Sequence, residues 1–157
     1  MKRTEVLAQR VREVLLNGIW IANTNYQAQL KNIYWEHAVC QVANLNTIAA
    51  LTFHINYYLA GLIQVFNGGD LAIRDQNSFD IPEIRSEEEW NSLVNDFLTN
   101  AELFSQKVEQ LPENLLDHPF VDEKYGNYLR NIEGVIEHSY YHLGQISLIN
   151  KMIGNKG

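Results

Sequence analysis

Four stretches of this chain carry apolar residues at helical spacing, and no convincing set of alternating, strand-like segments competes with them. Leu7, Val11, Val14 and Leu15 form a stripe from about Thr4 to Asn17, and Gly18 follows as a stop signal. A polar stretch with room for one short turn, Thr24 to Leu30, comes next. A second long segment begins between His37 and Thr47 and runs to Phe66, where Asn67-Gly68-Gly69 ends it. Within it Thr47, Leu51, His54, Tyr58 and Leu62 share one side. The third segment opens at Ser86, whose hydroxyl forms a capping box with the Glu89 carboxylate. Behind that box Trp90, Leu93, Val94, Phe97, Leu98, Ala101 and Phe104 make a core stripe that should end by Gln110, before Pro112. Leu111 to Lys124 reads as loop. The fourth segment runs from about Tyr125 to Lys151, with Tyr128, Ile132, Val135, Ile136, Ile146 and Ile149 in its apolar pattern.

Such a set predicts an all-α fold, a four-helix bundle forming a single domain over 1–157. The connection between the second and third helices, Gly68 to Arg85 with Pro82 inside it, is long enough to cross the bundle. It permits an order other than simple up-down-up-down. A chain of 157 residues buries a core without disulfides, and 46% apolar against 20% charged residues is a globular composition. The lone cysteine, Cys40, makes neither an internal disulfide nor a cysteine metal cluster, and it reads as a buried structural thiol.

Twelve Lys/Arg against 19 Asp/Glu give a net charge of −7. Such a surface does not attract a phosphate backbone, so no nucleic-acid partner is expected. Lys151 and Lys156 near the end are too sparse to line a basic groove. No window reaches 18 uninterrupted apolar residues, and no apolar stretch after Met1–Arg12 serves as a signal segment. No membrane span is expected, and the expected location is the cytoplasm.

The five histidines are the chemically informative residues. His138 and His142 are one helical turn apart and stack on a face that also carries Asn131, Val135, Gln145 and Ile149. That face is mostly apolar, so the pair points inward or into a groove. Two imidazoles there need hydrogen-bond partners for four ring nitrogens, or a divalent metal that takes one nitrogen from each. The same spacing also arises by chance in helices without a metal. His54, on the Leu51–Tyr58–Leu62 side of the second long helix, is the candidate third ligand. Three protein ligands leave a coordination position open, as catalytic sites do. Imidazoles suit zinc, nickel, iron and cobalt alike. His37 and His118 read as surface or capping residues. No H-E-x-x-H, no pair of E-x-x-H motifs and no phosphate-binding glycine loop is present. Glu137, next to His138, points about 100° away around the helix and reads as solvated.

At these histidines the sequence resembles the DinB/YfiT-like superfamily of small metalloproteins. The matching pieces are Ile48-Ala49-Ala50-Leu51-Thr52-Phe53-His54-Ile55-Asn56-Tyr57-Tyr58 and Glu137-His138-Ser139-Tyr140-Tyr141-His142-Leu143-Gly144-Gln145-Ile146. The closing H-x-x-x-H-x-G-Q-I is the specific part, and length and helix order match across essentially the whole chain. The resemblance implies a bundle in up-down-down-up order, paired as a homodimer. It implies a single nickel or zinc ion held by His54, His138 and His142. It also implies transfer of a low-molecular-weight thiol to a small electrophile, or hydrolysis, in relatives whose activity is characterised.

On this reading the ion activates a thiol or water in its open position, and the three histidines act as ligands rather than bases. Asn56, Tyr141 and Gln145 are candidates to bond the ligands' second nitrogens. Gly144, and Gly134 with it, reads as a site of close helix packing. The alternative is a non-catalytic helical interaction or stress-related protein with a vestigial metal site. The residues themselves assign no catalytic group beyond the ligands.

Overall fold

The computed structural model describes residues 1–154, so Lys156 lies outside the described residues. The described chain is all-helical and contains no β-strand, only an isolated bridge between Pro119 and Asn127. Four helical segments are long, and two short helices sit between the first and second of them.

Helix α1, Arg3–Arg12, continues into a π-helical turn, Glu13–Asn17. Gly18 ends it as expected, but for a different reason than a left-handed cap. Its backbone is extended (φ −86°), which any residue adopts. A Cβ there would lie 2.4 Å from the Glu13 Cα, so the backbone itself leaves no room for a side chain. The Asn25 amide donates to the Gly18 carbonyl (2.8 Å), and its oxygen accepts from the Ala28 N–H (2.8 Å), capping α2, Tyr26–Leu30. Short helix α3 spans Trp35–Ala38.

Helix α4, Ile48–Phe66, starts where the Thr47 hydroxyl accepts from the Ala50 N–H (3.0 Å). It stops at Asn67-Gly68-Gly69. Gly68 turns left-handed (φ +87°), and the Gly69 N–H donates to the Gln64 carbonyl (2.9 Å). Helix α5, Glu87–Gln110, is capped by Ser86, whose hydroxyl accepts from the Glu89 N–H (3.2 Å). The Glu89 carboxylate reaches back one residue further than a capping box requires, to the Arg85 N–H (2.6 Å). Helix α6, Tyr128–Gly154, begins three residues later than its apolar pattern suggests. Asn127 caps it, accepting from the Arg130 N–H (2.8 Å), while Tyr125 belongs to a preceding 3-10 turn.

Helix α5 packs on α1 and α4, and α6 packs on the same two helices. Trp90, Phe97 and Phe104 of α5 are fully buried, as the stripe requires, whereas Leu93, Val94 and Leu98 flank the core half-buried. Each fully buried large apolar side chain contributes about 1.5–3 kcal/mol relative to exposure. The Trp90 indole N–H donates to the Ile33 carbonyl (2.9 Å), which fastens the segment before α3 to α5. Tyr26 packs at a tilt against Phe97 (centroids 5.1 Å) and donates its hydroxyl to the Ser139 carbonyl (2.9 Å), fixing α2 to the middle of α6.

One sequence criterion falls short and one expectation changes. By length and mean hydropathy (1.3) α4 has the dimensions of a membrane span, and 56% of that window is buried inside the protein. A count of uninterrupted apolar residues misses this because Thr52, His54 and Asn56 break the run. Gly134 and Gly144 are not points of close packing within the chain, since a Cβ at either meets no atom within 4 Å.

Gly18→Ala tests the account of the first helix end. It should destabilise the protein by about 1–3 kcal/mol in urea unfolding, the range for overpacking a filled site. A change below about 0.5 kcal/mol would show that Glu13 moves aside freely.

Candidate metal centre

Helix α4 carries His54 at its middle, and α6 carries His138 and His142 on consecutive turns. Packing of α4 against α6 brings the three rings together. His54 Nε2 lies 3.1 Å from His138 Nε2, and His142 Nε2 lies 2.9 Å from the same atom. One ligand atom from each histidine falls within 4.8 Å of the others, close enough to hold a metal ion. His54 and His142 are buried and His138 is half-buried.

The far sides of two rings decide what the near sides present. His54 Nδ1 lies 3.3 Å from the Ser78 carbonyl oxygen, and His142 Nδ1 lies 2.6 Å from the Gln145 amide oxygen. Neither oxygen has a proton to give, so both Nδ1 atoms are the donors. Each neutral ring then offers Nε2 as a bare lone pair. His138 Nε2, between them, has at most one proton and satisfies only one neighbour. The other neighbour's lone pair is left without a donor. A cation at the point of convergence satisfies all three nitrogens. Metal–nitrogen bonds of about 2.0–2.1 Å place neighbouring ligand atoms about 2.9–3.4 Å apart in tetrahedral or octahedral sites. The two short separations match that spacing.

Burial keeps these rings neutral. The His138 imidazole is pushed down to about 4, by burial first and then by His142 and His54. His54 is lowered by burial and by His142, against the opposing pull of the Ser78 carbonyl and Asp75. His142 is lowered by burial, opposed by Gln145. Neutral imidazole is the form that ligates, so the donors are ready at neutral pH.

The connection between α4 and α5 supplies the part of the centre that the sequence does not reveal. Tyr57 clamps Arg74, donating to its carbonyl (3.2 Å) and accepting from its N–H (2.9 Å). Tyr58 donates to the Asp75 carboxylate (2.7 Å). The chain so fastened presents the Ser78 carbonyl to His54 and lays the Phe79 ring flat on the same imidazole (centroids 4.0 Å, 9° between planes). Turn residues such as Asn77, Ser78 and Asp80 signal only a loop here; the stacking partner has no signature at all.

Of the three proposed partners of the ligands, Gln145 bonds His142. Tyr141 lies edge-on to His142 (4.9 Å) and is exposed, so it contributes a ring rather than a hydroxyl. The Asn56 oxygen accepts from Asn100 on α5 (2.8 Å), so this atom is engaged across the helix pair instead. Glu137 pairs with Arg130 (2.9 Å) on the exposed side of α6. His37 and His118 are exposed. Cys40 is a half-buried free thiol.

Comparison with protein-family models, with curated proteins and with solved structures finds no match to this chain.

The depressed imidazoles have a measurable consequence in metal-free protein. The unfolded chain takes up protons at these histidines near pH 6.5, whereas folded His138 does so only near 4. The unfolded state therefore binds more protons between those values, and stability falls as the pH drops through that window. Thermal unfolding after chelator treatment should show a steeper loss from pH 6.5 to 4 in the wild type than in His138→Gln. Equal slopes would mean that burial does not hold this ring neutral.

Proposed function

We propose that this protein is a metal-dependent enzyme of the DinB/YfiT-like kind, in which His54, His138 and His142 hold one zinc or nickel ion. The observation that carries the reading is the set of Nε2 atoms 2.9 and 3.1 Å apart, with two of the far nitrogens committed to oxygens. When bound, the ion supplies Lewis acidity that draws a thiol or water toward ionisation near neutral pH. Three protein ligands leave room for such a nucleophile. The reaction class is transfer of a low-molecular-weight thiol to a small electrophile, with hydrolysis as the variant that uses water.

The chain's own residues have definite duties in this reading. Ser78 and Gln145 hold two rings in the ligating tautomer. Phe79 and Tyr141 cover His54 and His142. Tyr58 is pushed up to about 12 by burial and by its bond to Asp75, so it stays protonated and donates rather than serving as a base. The long connection after α4 supports a bundle of α1, α4, α5 and α6 in up-down-down-up order. The net charge of −7 supports a small-molecule partner over nucleic acid.

A specific surface supports pairing of two copies. Tyr141, Leu148 and Met152 are exposed along one face of α6, and Gly144 lies among them with open space above it. A second helix could approach closely there, which gives Gly144 an intermolecular role. Light scattering should find a dimer in the wild type and a monomer in Leu148→Glu. A monomeric wild type at micromolar concentration would remove the pairing.

Metal content tests the centre. Untagged protein supplemented with zinc should retain about one ion per chain by elemental analysis, and His54→Ala and His142→Ala should retain almost none. Gln145→Leu should keep the ligands but weaken zinc binding by about 10–100-fold, the usual effect of removing a ligand's hydrogen-bond partner. A wild type that holds no metal overturns the reading. A loaded protein that transfers no thiol to monochlorobimane, from any of several thiols, and hydrolyses no small ester or amide would favour the non-catalytic interaction protein with a vestigial site.

A further inference from the structure

A cavity of about 520 Å³ opens beside the histidines, between α4, α6 and the segments around 71–75 and 120–125. Its volume is that of a small-molecule site, within the range of about 300–1,000 Å³. Ile55, Leu59 and Leu62 of α4 line it together with Val135 of α6 and Phe120. His138 stands on the same wall, so the cavity and the candidate centre share an imidazole.

Most polar groups on the wall are already engaged; the exception is the buried Ser139 hydroxyl, which has no hydrogen-bond partner. The Asp75 carboxylate accepts from Tyr58 (2.7 Å), and Arg130 pairs with Glu137 (2.9 Å). The Asn131 amide N–H groups donate to the Tyr125 and Asn127 carbonyls (both 2.8 Å). An anionic ligand would find the Arg130 charge already paired and would face the Asp75 carboxylate, which is hydrogen-bonded only to a neutral hydroxyl. An apolar one would meet aliphatic and aromatic surface.

Gly134 lies on this wall, in the interior of α6, and a Cβ built on it meets nothing within 4 Å. Glycine is unfavourable in a helix interior relative to alanine, and no neighbouring atom requires it here. Its effect is to leave space where a side chain would stand.

We propose that this cavity is a binding chamber for an uncharged, apolar small molecule, kept open by Gly134. Its occupant is the electrophile, delivered next to His138; that last clause rests on the metal-enzyme reading above, whereas the chamber itself does not.

The test uses the uncharged fluorophore N-phenyl-1-naphthylamine with the full chain, both chelator-treated and zinc-loaded. The wild type should show saturable fluorescence enhancement in both forms. Gly134→Leu should weaken binding at least about tenfold by filling the space with apolar side chain, while zinc content stays at the wild-type level. Gly134→Met fills the same space with a more flexible chain and covers the case in which the leucine variant folds poorly. Asn95→Leu adds the same side chain to the exposed face of α5 and should bind as the wild type does. The anionic relative 8-anilinonaphthalene-1-sulfonate should bind more weakly than the uncharged dye. The chamber is overturned by absence of saturable binding, by wild-type affinity in both Gly134 variants, by equal weakening in Asn95→Leu, or by equal affinity for the anionic dye. Loss of zinc from the wild type with dye binding intact would count against the metal centre alone.

Discussion

Two hydrogen bonds on the outer edges of the imidazoles decide what can lie between them. The Ser78 carbonyl and the Gln145 amide oxygen each take a proton from a ring Nδ1. This turns the Nε2 lone pairs of His54 and His142 toward His138, about one hydrogen-bond length away. Without a shared cation at least one of those lone pairs has no donor in a partly buried place, where uncompensated polar groups are costly. The burial that depresses the imidazole pKa values also removes the simplest relief, an added proton.

The scaffold makes this convergence hard to escape. His138 and His142 share a helix, so their separation follows from the helix repeat. The α4–α6 packing sets the distance to His54. Tyr26 ties α2 to the Ser139 carbonyl, between the two α6 histidines. On the α4 side, Tyr57 and Tyr58 bind the connecting segment at Arg74 and Asp75 and thereby hold Ser78 and Phe79 over His54. The same α4–α6 pair bounds the apolar cavity, so the centre and the space beside it arise from one packing arrangement.

What the sequence makes legible here is local. Apolar periodicity and caps place the long helices to within a few residues, because Thr47, Ser86 and Asn127 bond amides three residues ahead of them. The His138–His142 pair and the Gln145 bond also lie within one helix, where spacing alone brings side chains together. His54 requires a family pattern or a structure, since nothing in α4 states which helix it faces. The contribution of residues 74–79 is invisible for the same reason: it depends on how an irregular segment folds back on α4. Asn56 and Gly144 show the converse error. Both sit in a suggestive motif, yet one bonds Asn100 and the other meets no atom of its own chain. Motif adjacency does not specify direction.

X-ray absorption spectroscopy at the zinc edge of the zinc-loaded protein measures the central claim directly. Three imidazole nitrogens at about 2.0–2.1 Å from one ion, with lighter scatterers completing the shell, is the predicted result. Fewer than three imidazoles per zinc, or an unchanged spectrum when His54 is replaced by alanine, would contradict it.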